Sequence, residues 1–370
     1  MSKTETYLGE IFHIERGGSP RPIQHYLTDE ADGVPWIMIG DTRTGGKYID
    51  STRTRIKKEG IRKSREVFPG ELLLSNSMSF GRPYILQTYG CIHDGWLVLR
   101  PKRDDIDIDY AYHALGSAQA MAQFQRQAAG ATVKNLNKEI VASTQIPLPP
   151  LEEQRRIAAI LDKAQDVKAM VAQRSCLLTA LGRSLFVRRF GLPSENPYEL
   201  TTHRLVDICN PKQWPTISSK QLKEAGYPVF GANGLIGYYD TFNHQEPTVL
   251  VTCRGATCGT VNVSPPNCYV TGNSMAMDNP DPALITTEYL AWVLRLRSMH
   301  DVISGSAQPQ ITRQGLEAVT IPVPPIDAQK DFEAELRALA RVDDSSRFSE
   351  VSLFEVSNCL AGQLLGSSSA

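Results

Sequence analysis

The chain lacks a long hydrophobic run. No stretch of 18 or more apolar residues occurs in its 370 residues, which excludes a helical membrane span. The start, MSKTETYLGE, lacks the basic–apolar–small pattern of a secretory signal. An excess of one charge is missing too: 39 Lys and Arg stand against 40 Asp and Glu, a net of −1. That balance excludes a uniformly basic nucleic-acid binder and still leaves room for a local basic surface. A disulfide framework is absent. The seven cysteines (91, 176, 209, 253, 258, 268 and 359) are odd in number and scattered, which fits a reducing cytosol. With 41% hydrophobic and 21% charged residues, neither a disordered tail protein nor a fibrous one fits. The length predicts two to three domains with real cores.

Catalytic motifs are missing as well. Gly40–Lys47 (GDTRTGGK) resembles a phosphate loop, but Lys47 is displaced by one and Tyr48 replaces the Ser/Thr that binds Mg²⁺. A glycine-rich turn explains it better. Asn196-Pro197-Tyr198 lacks the second proline of an Asn-Pro-Pro-Tyr motif and reads as linker. Cys253, Cys258 and Cys268 do not have a zinc spacing, and none of the seven His sits in a His-Glu-x-x-His frame. No Gly-x-Ser-x-Gly presents a nucleophile.

What the chain does contain is a repeat. IPLPPLEEQ at 146–154 returns as IPVPPIDAQ at 321–329, 175 positions later. Upstream, DYAYHALGSAQAMAQF (109–124) parallels EYLAWVLRLRSMHDVI (288–303), and ELLLSNSMSFGR (71–82) parallels TVLVTCRGATCGT (248–260). LGEIFHI (8–14) parallels LVDICNP (205–211) at the larger offset of 197. The second copy is therefore shorter by about 20 residues near its start, a change easiest to place in surface loops.

Each copy ends in a hinge whose paired prolines, Pro149-Pro150 and Pro324-Pro325, fix the backbone just before a helix can begin. Over Leu151–Phe190 a heptad follows: Ile157, Ala164, Val171, Leu178 and Leu185 on one series, Ile160, Val167 and Leu181 on the other, with Arg174 interrupting. At 1.5 Å per residue this is a rod of about 50–60 Å. The second copy carries a weaker pattern of Phe332, Leu339, Leu353 and Leu360 with Val342 and Val356, broken by Ser345, Ser346 and Ser349. We expect an α+β chain: globular unit 1–150, long helix 151–190, linker and second unit 191–325, second long helix 326–366, and a disordered tail at 367–370. The two helices are expected to bury these stripes against each other as an antiparallel coiled coil.

One segment is locally basic. Arg43, Lys47, Arg53, Arg55, Lys57, Lys58, Arg62, Lys63 and Arg65 face only Asp50 and Glu59 within 43–65. Such a run suits phosphate tracking, which provides affinity with little sequence information. Base reading needs forked donors and amides on loops. Candidates in the first unit are Arg16, Ser19, Arg21, Ser77, Ser79 and Arg82, with Thr132, Lys134, Asn135 and Asn137 further on. The second offers Asn233, Tyr238, Tyr239, Arg254 and Thr257, with Gln308, Gln310, Thr312 and Arg313.

Two variable globular units, each ending in Ile-Pro-φ-Pro-Pro-φ-x-x-Gln (φ apolar) and a long helix, resemble the specificity subunit of type I restriction–modification systems. GATVKNLNKEI (130–140) and SAQPQITRQGLEAVTIPVPP (306–325) resemble that family's segments in detail, and the likeness runs from Leu8 to about Leu365. The resemblance implies two target recognition domains, each reading half of a split DNA site through the major groove. It implies helices that set the spacer and dock two modification subunits. Those subunits carry S-adenosylmethionine and methylate adenine; restriction subunits using ATP and Mg join the larger assembly. It implies no catalysis and no cofactor on this chain, double-stranded DNA as partner, and a bacterial or archaeal cytoplasm. Because the two copies differ in loops, the expected target is asymmetric. Two other classes stay open at this point: an enzyme acting alone on nucleic acid, and a coiled-coil scaffold that binds only protein. A fused methyltransferase–nuclease is an alternative partner.

Overall fold

The computed structural model describes residues 4–42, 45–76, 80–128, 135–232, 234–305 and 308–339, with Gly362, Leu364 and Leu365. The chain divides into two units, Met1–Val171 with Phe348–Ala370, and Ala172–Arg347.

In the first unit, a five-stranded sheet runs in the order Phe12–Arg16, Trp96–Pro101, Leu72–Ser75, Pro83–Leu86, Tyr48–Ile49. Its three central strands are buried on both faces, and the two-residue side-chain period sorts their residues. Leu72, Leu74, Leu97 and Leu99 point into one cluster with Tyr110, Leu115 and Phe124 of the helices. Leu73, Trp96 and Val98 point into another with Ile37, Tyr84 and Ile92. That second face is covered by a smaller sheet, Arg55–Ile56, Val34–Ile37, Gly90–Ile92, Arg65–Val67. The result is a helix layer, a buried sheet and a small sheet.

The second unit repeats the plan. Its four-stranded sheet has the order Asn210–Gln213, Ser274–Asp278, Val249–Thr252, Val261–Val263. Val249, Val251, Met275 and Met277 face the helices, while Leu250 and Ala276 face Cys268 and Val270. A three-stranded sheet lies in the place of the smaller one, again with one parallel pairing: Val229 opposite Tyr269 here, Trp36 opposite Cys91 in the first unit. Each unit is closed by an antiparallel ribbon joining its first strand to its hinge, Thr4–Tyr7 with Gln145–Leu148 and Thr202–Arg204 with Thr320–Pro322. The extra length of the first copy is not only loop. It holds the edge strand Tyr48–Ile49, a 3₁₀ segment at Lys58–Lys63 and the strand Arg65–Val67.

The long helix spans Leu151–Phe190, with Glu152 and Glu153 in its first turn and Arg188 and Arg189 in its last, each charge matched to the helix dipole. It stops at Gly191, whose φ of 75° terminates a helix without the penalty a side chain incurs. The helix after the second hinge is described over 326–339. No described helix is long and apolar enough to cross a membrane.

The seam residues divide. Ile157, with Ala158 and Leu161, belongs to the first unit's core, alongside Leu365. Phe332 belongs to the second unit's core with Phe186 and Phe190. Both lie within a turn or two of a hinge, where the helix still rests on its domain, and Phe332 makes the expected contact between helices there, packing on Phe186 and Phe190 of the long helix. Ile160, Ala164, Val171, Leu178, Leu185 and Leu339 are half-buried, and Val167 and Leu181 are exposed. Val342, Leu353, Val356 and Leu360, the interrupting serines and the tail lie outside the described residues.

Candidate nucleic-acid interface

Four loops of the first unit meet at one rim. The Asn76 backbone N–H donates to Gly95 O at 2.9 Å, and its carbonyl accepts from Leu136 N at 3.0 Å. Its side-chain amide donates to Asp94 O at 2.7 Å. This ties the ends of the loops after Ser75, before Trp96 and before Asn137 together. Arg16, at the end of its strand, donates from Nε to the same Asp94 carbonyl at 2.9 Å. Ser19 Oγ donates to Asp94 Oδ1 at 2.6 Å, and the Arg21 guanidinium lies 3.8 Å from Oδ2. Three of the sequence candidates therefore converge on a residue that was not among them. Asn135 is exposed on this rim, and Asn137 caps the helix Lys138–Ala142, accepting from Ile140 N. Arg82 follows Gly81 (φ 74°) and lays its guanidinium 5.8 Å from the centre of the Tyr84 ring.

The second unit builds the same rim from other side chains. The Cys253 carbonyl accepts from Ile311 N as Asn76 does from Leu136. Gln213 Nε2 donates to Gly272 O at 3.0 Å, as Arg16 does to Asp94 O. Thr312 caps Arg313–Leu316 as Asn137 caps its helix. Arg254, Gln308, Gln310, Thr312 and Arg313 are exposed, with Arg254 bridged to Gln310 through the backbone. Thr257 shares the Arg254 loop. Tyr238 is half-buried further along the Gly234–Tyr239 strand, beside Lys223, and is not brought onto this rim by any contact described.

The basic run is only partly available. Lys47 is not a surface cation: its side chain is 8% exposed, and its ammonium lies 2.6 Å from both Asp109 and Asp162. Burial opposes its charge, but the two carboxylates outweigh that and raise its pKa. Arg55 Nη1 donates to the carbonyls of Ala31 and Gly33, Lys58 pairs with Asp32, Lys63 donates to the Tyr26 hydroxyl and Arg65 pairs with Glu15. Arg53, Lys57 and Arg62 are exposed without an ion-pair partner among the described residues. Arg43, Ser77, Ser79, Thr132, Lys134 and Asn233 lie outside the described residues. The 3₁₀ segment reaches the rim: Lys63 and Ser64 abut Gly18, and Ser64 Oγ donates to Ile92 O.

The arrangement holds exposed guanidinium groups, amides and hydroxyls on loops over a rigid two-faced sheet, the kind of surface that reads polymer edges. Burial pushes the Cys91 thiol up to about 11 and Cys209 to about 12, so neither is readied as a nucleophile. Among the described residues no group of His, Cys, Asp or Glu is placed to hold a metal.

The family described as the type I restriction modification DNA specificity domain matches residues 3–174 and again 197–344. The chain belongs to this family. Type I specificity chains are non-catalytic, so this one is a DNA specificity subunit of a type I restriction–modification system, with two target recognition domains. It is 24% identical to the Escherichia coli EcoprrI specificity subunit over 87% of this chain and 84% of that one. It is likewise 24% identical to the putative MjaX specificity subunit of Methanocaldococcus jannaschii, over 77% and 74%. The solved specificity subunit of M. genitalium shares the fold across 99% of both chains, with a TM-score of 0.63 at 18% identity. A type I chain from a study of complex assembly superposes with a TM-score of 0.50 and 18% identity over 98% and 97% of the two chains.

Proposed function

We propose that each unit reads one half of a bipartite, asymmetric DNA target, and that the helices set the unread spacer and dock two methyltransferase subunits. Those partners supply S-adenosylmethionine and modify adenine; restriction subunits with ATP and Mg complete the assembly. The observation that carries this reading is the duplicated rim. Two backbone hydrogen bonds recur, Asn76 N to Gly95 O as Cys253 N to Asn273 O and Leu136 N to Asn76 O as Ile311 N to Cys253 O, while the side chains placed on this frame differ: Arg16 against Gln213, Asp94 against Gly272, Asn76 against Cys253. A common frame with unlike contacts fits two half-sites of unlike sequence.

The test is methylome sequencing of cells expressing this chain with its neighbouring methyltransferase. A split motif with two unlike halves is the expected result. A continuous motif, a palindrome or no motif overturns the reading.

A further inference from the structure

Beside the rim of the first unit is a cavity of about 660 Å³ lined by Ser19, Arg21, Trp36, Met38, His93 and Asp94, with prolines 20 and 22 among its walls. Its size falls within the range of small-molecule sites. The Asp94 carboxylate at its edge is 43% exposed. Ser19 fixes one of its oxygens, Arg21 stands 3.8 Å from the other, and its backbone carbonyl holds Arg16 and Asn76. Behind it, His93 accepts from Gly95 N–H through Nδ1, so the ring proton sits on Nε2. That Nε2 is buried and without a hydrogen-bond partner among the described residues.

Ser19 satisfies only Oδ1; Oδ2, with Arg21 3.8 Å away, accepts no hydrogen bond among the described residues, and an acceptor left open on a face proposed to bind phosphates is unfavourable unless it meets a further donor. In the major groove the strong donors are the exocyclic amines, N4 of cytosine and N6 of adenine. We propose that Asp94 is a specificity-determining residue of the first half-site, accepting from the exocyclic amine of one base whose edge enters this cavity. Ser19 positions the carboxylate, and Arg16 and Arg21 flank it.

The second unit shows why the effect belongs to one half-site. At the matching place stands Gly272, and a Cβ there would lie 2.7 Å from Trp214 O and 3.0 Å from Thr216 Oγ1. Thr216 lies 197 positions after Ser19, the offset that relates the two first strands. The carboxylate is therefore absent from this position of the second head, where the Trp214 carbonyl and the Thr216 hydroxyl leave no room for a side chain on residue 272.

The inference rests on the DNA-reading function proposed above, and the two fail differently. The complex of the full chain with its methyltransferase is assayed by methylome sequencing and by competition binding against every single base-pair substitution of the wild-type motif. Asp94→Asn is expected to relax one base pair of the first half-site by about tenfold or more, leaving the other positions and the second half-site unchanged. Ser19→Ala, which keeps the carboxylate but frees it, is expected to relax the same base pair less. A wild-type complex without sequence selectivity ends the reading itself. Selective wild type with uniform weakening in Asp94→Asn overturns the inference, because Asp94 then only positions its neighbours. Unchanged selectivity overturns it as well. Thermal melting of both variants separates loss of fold from loss of reading: if Asp94→Asn unfolds, the Ser19→Ala pattern decides.

Discussion

Two glutamines explain why the hinge motif is written twice. Gln154 is 1% exposed; its Nε2 donates to Asp105 O and Pro149 O, and its Oε1 accepts from Asp107 N. Gln329, fully buried, makes the same three bonds to Leu284 O, Pro324 O and Thr286 N. Asp107 and Thr286 are the caps of equivalent helices, and from those helices Tyr110 and Tyr289 donate their hydroxyls to Pro147 O and Pro322 O. A proline-fixed hinge has few donors of its own, so these side chains lock the long helices onto their domains. Gln154→Ala leaves three backbone groups, one buried and two half-buried, without this partner and is expected to destabilise the first unit by about 2–4 kcal/mol, read by hydrogen exchange of that unit's sheet amides. Gln329→Ala should do the same to the second unit, and an effect on neither would remove the lock. A pH effect also belongs here. Burial holds His113 and His93 below the ordinary histidine pKa of 6.5, and His113 Nε2 sits 2.8 Å from Asp162. The unfolded chain then binds protons more readily than the folded one. The contribution is fully present above about pH 6.5 and is lost as pH falls through the folded values. Melting temperatures of wild type should drop between about pH 7 and 5 more than those of His113→Gln. Parallel curves would assign the acid loss to other groups.

At the scale of elements, packing outweighs pairing. In the second unit Arg189 reaches Asp331 and Glu335, one turn apart on the following helix, but both carboxylates are well exposed. Beneath them Phe332 is fully buried against Phe186, Phe190 and Trp292. Gly182 costs the long helix about 1 kcal/mol of propensity, yet a Cβ there would meet the Trp292 ring at 2.6 Å, so glycine is what lets the ring pack. Phe332→Ala should cost about 3–5 kcal/mol and Arg189→Ala about 1 kcal/mol or less, measured by denaturant unfolding. Similar costs would remove this ranking. The basic run shows the limit of reading charges from sequence. A helix start after two prolines and a heptad are local patterns, so they are legible. Lys47 finds Asp162 at a separation of 115 residues and Ser19 finds Asp94 at 75, and no local pattern encodes either meeting. The set of cations proposed to face DNA shrinks accordingly. Replacing Arg53, Lys57 and Arg62 by Ala should lower affinity for every duplex and flatten the salt dependence by about one unit per lost phosphate contact. Replacing Lys47 should instead destabilise the first unit, and an unchanged salt slope in the triple variant would take this segment off the DNA.

For the whole molecule, duplication means that one design problem, a sheet presenting loops at a rim, is solved once and decorated twice. The repeat was visible because hinge, caps and strand order are held by backbone chemistry. The rims were only partly visible, because they are where the copies have diverged. The spacer-setting role proposed above falls to the helix Leu151–Phe190. Its middle stretch is exposed at Val167, Met170, Leu177 and Leu181, away from both domain cores, so its length can change without touching a reading loop. Duplicating one heptad, Asp166 through Ala172, keeps the apolar face nearly in phase and adds about 10 Å. At about 3.4 Å per base pair, that is room for about three more unread positions. Methylome sequencing of cells carrying this insertion with the partner methyltransferase should return both half-sites unaltered and a longer spacer. An insertion of two residues turns the face by roughly 200° and should abolish methylation while leaving each unit folded. If the heptad insertion methylates the original motif at its original spacing, the helix is not the ruler, and the spacer is set by the subunits that close around the DNA.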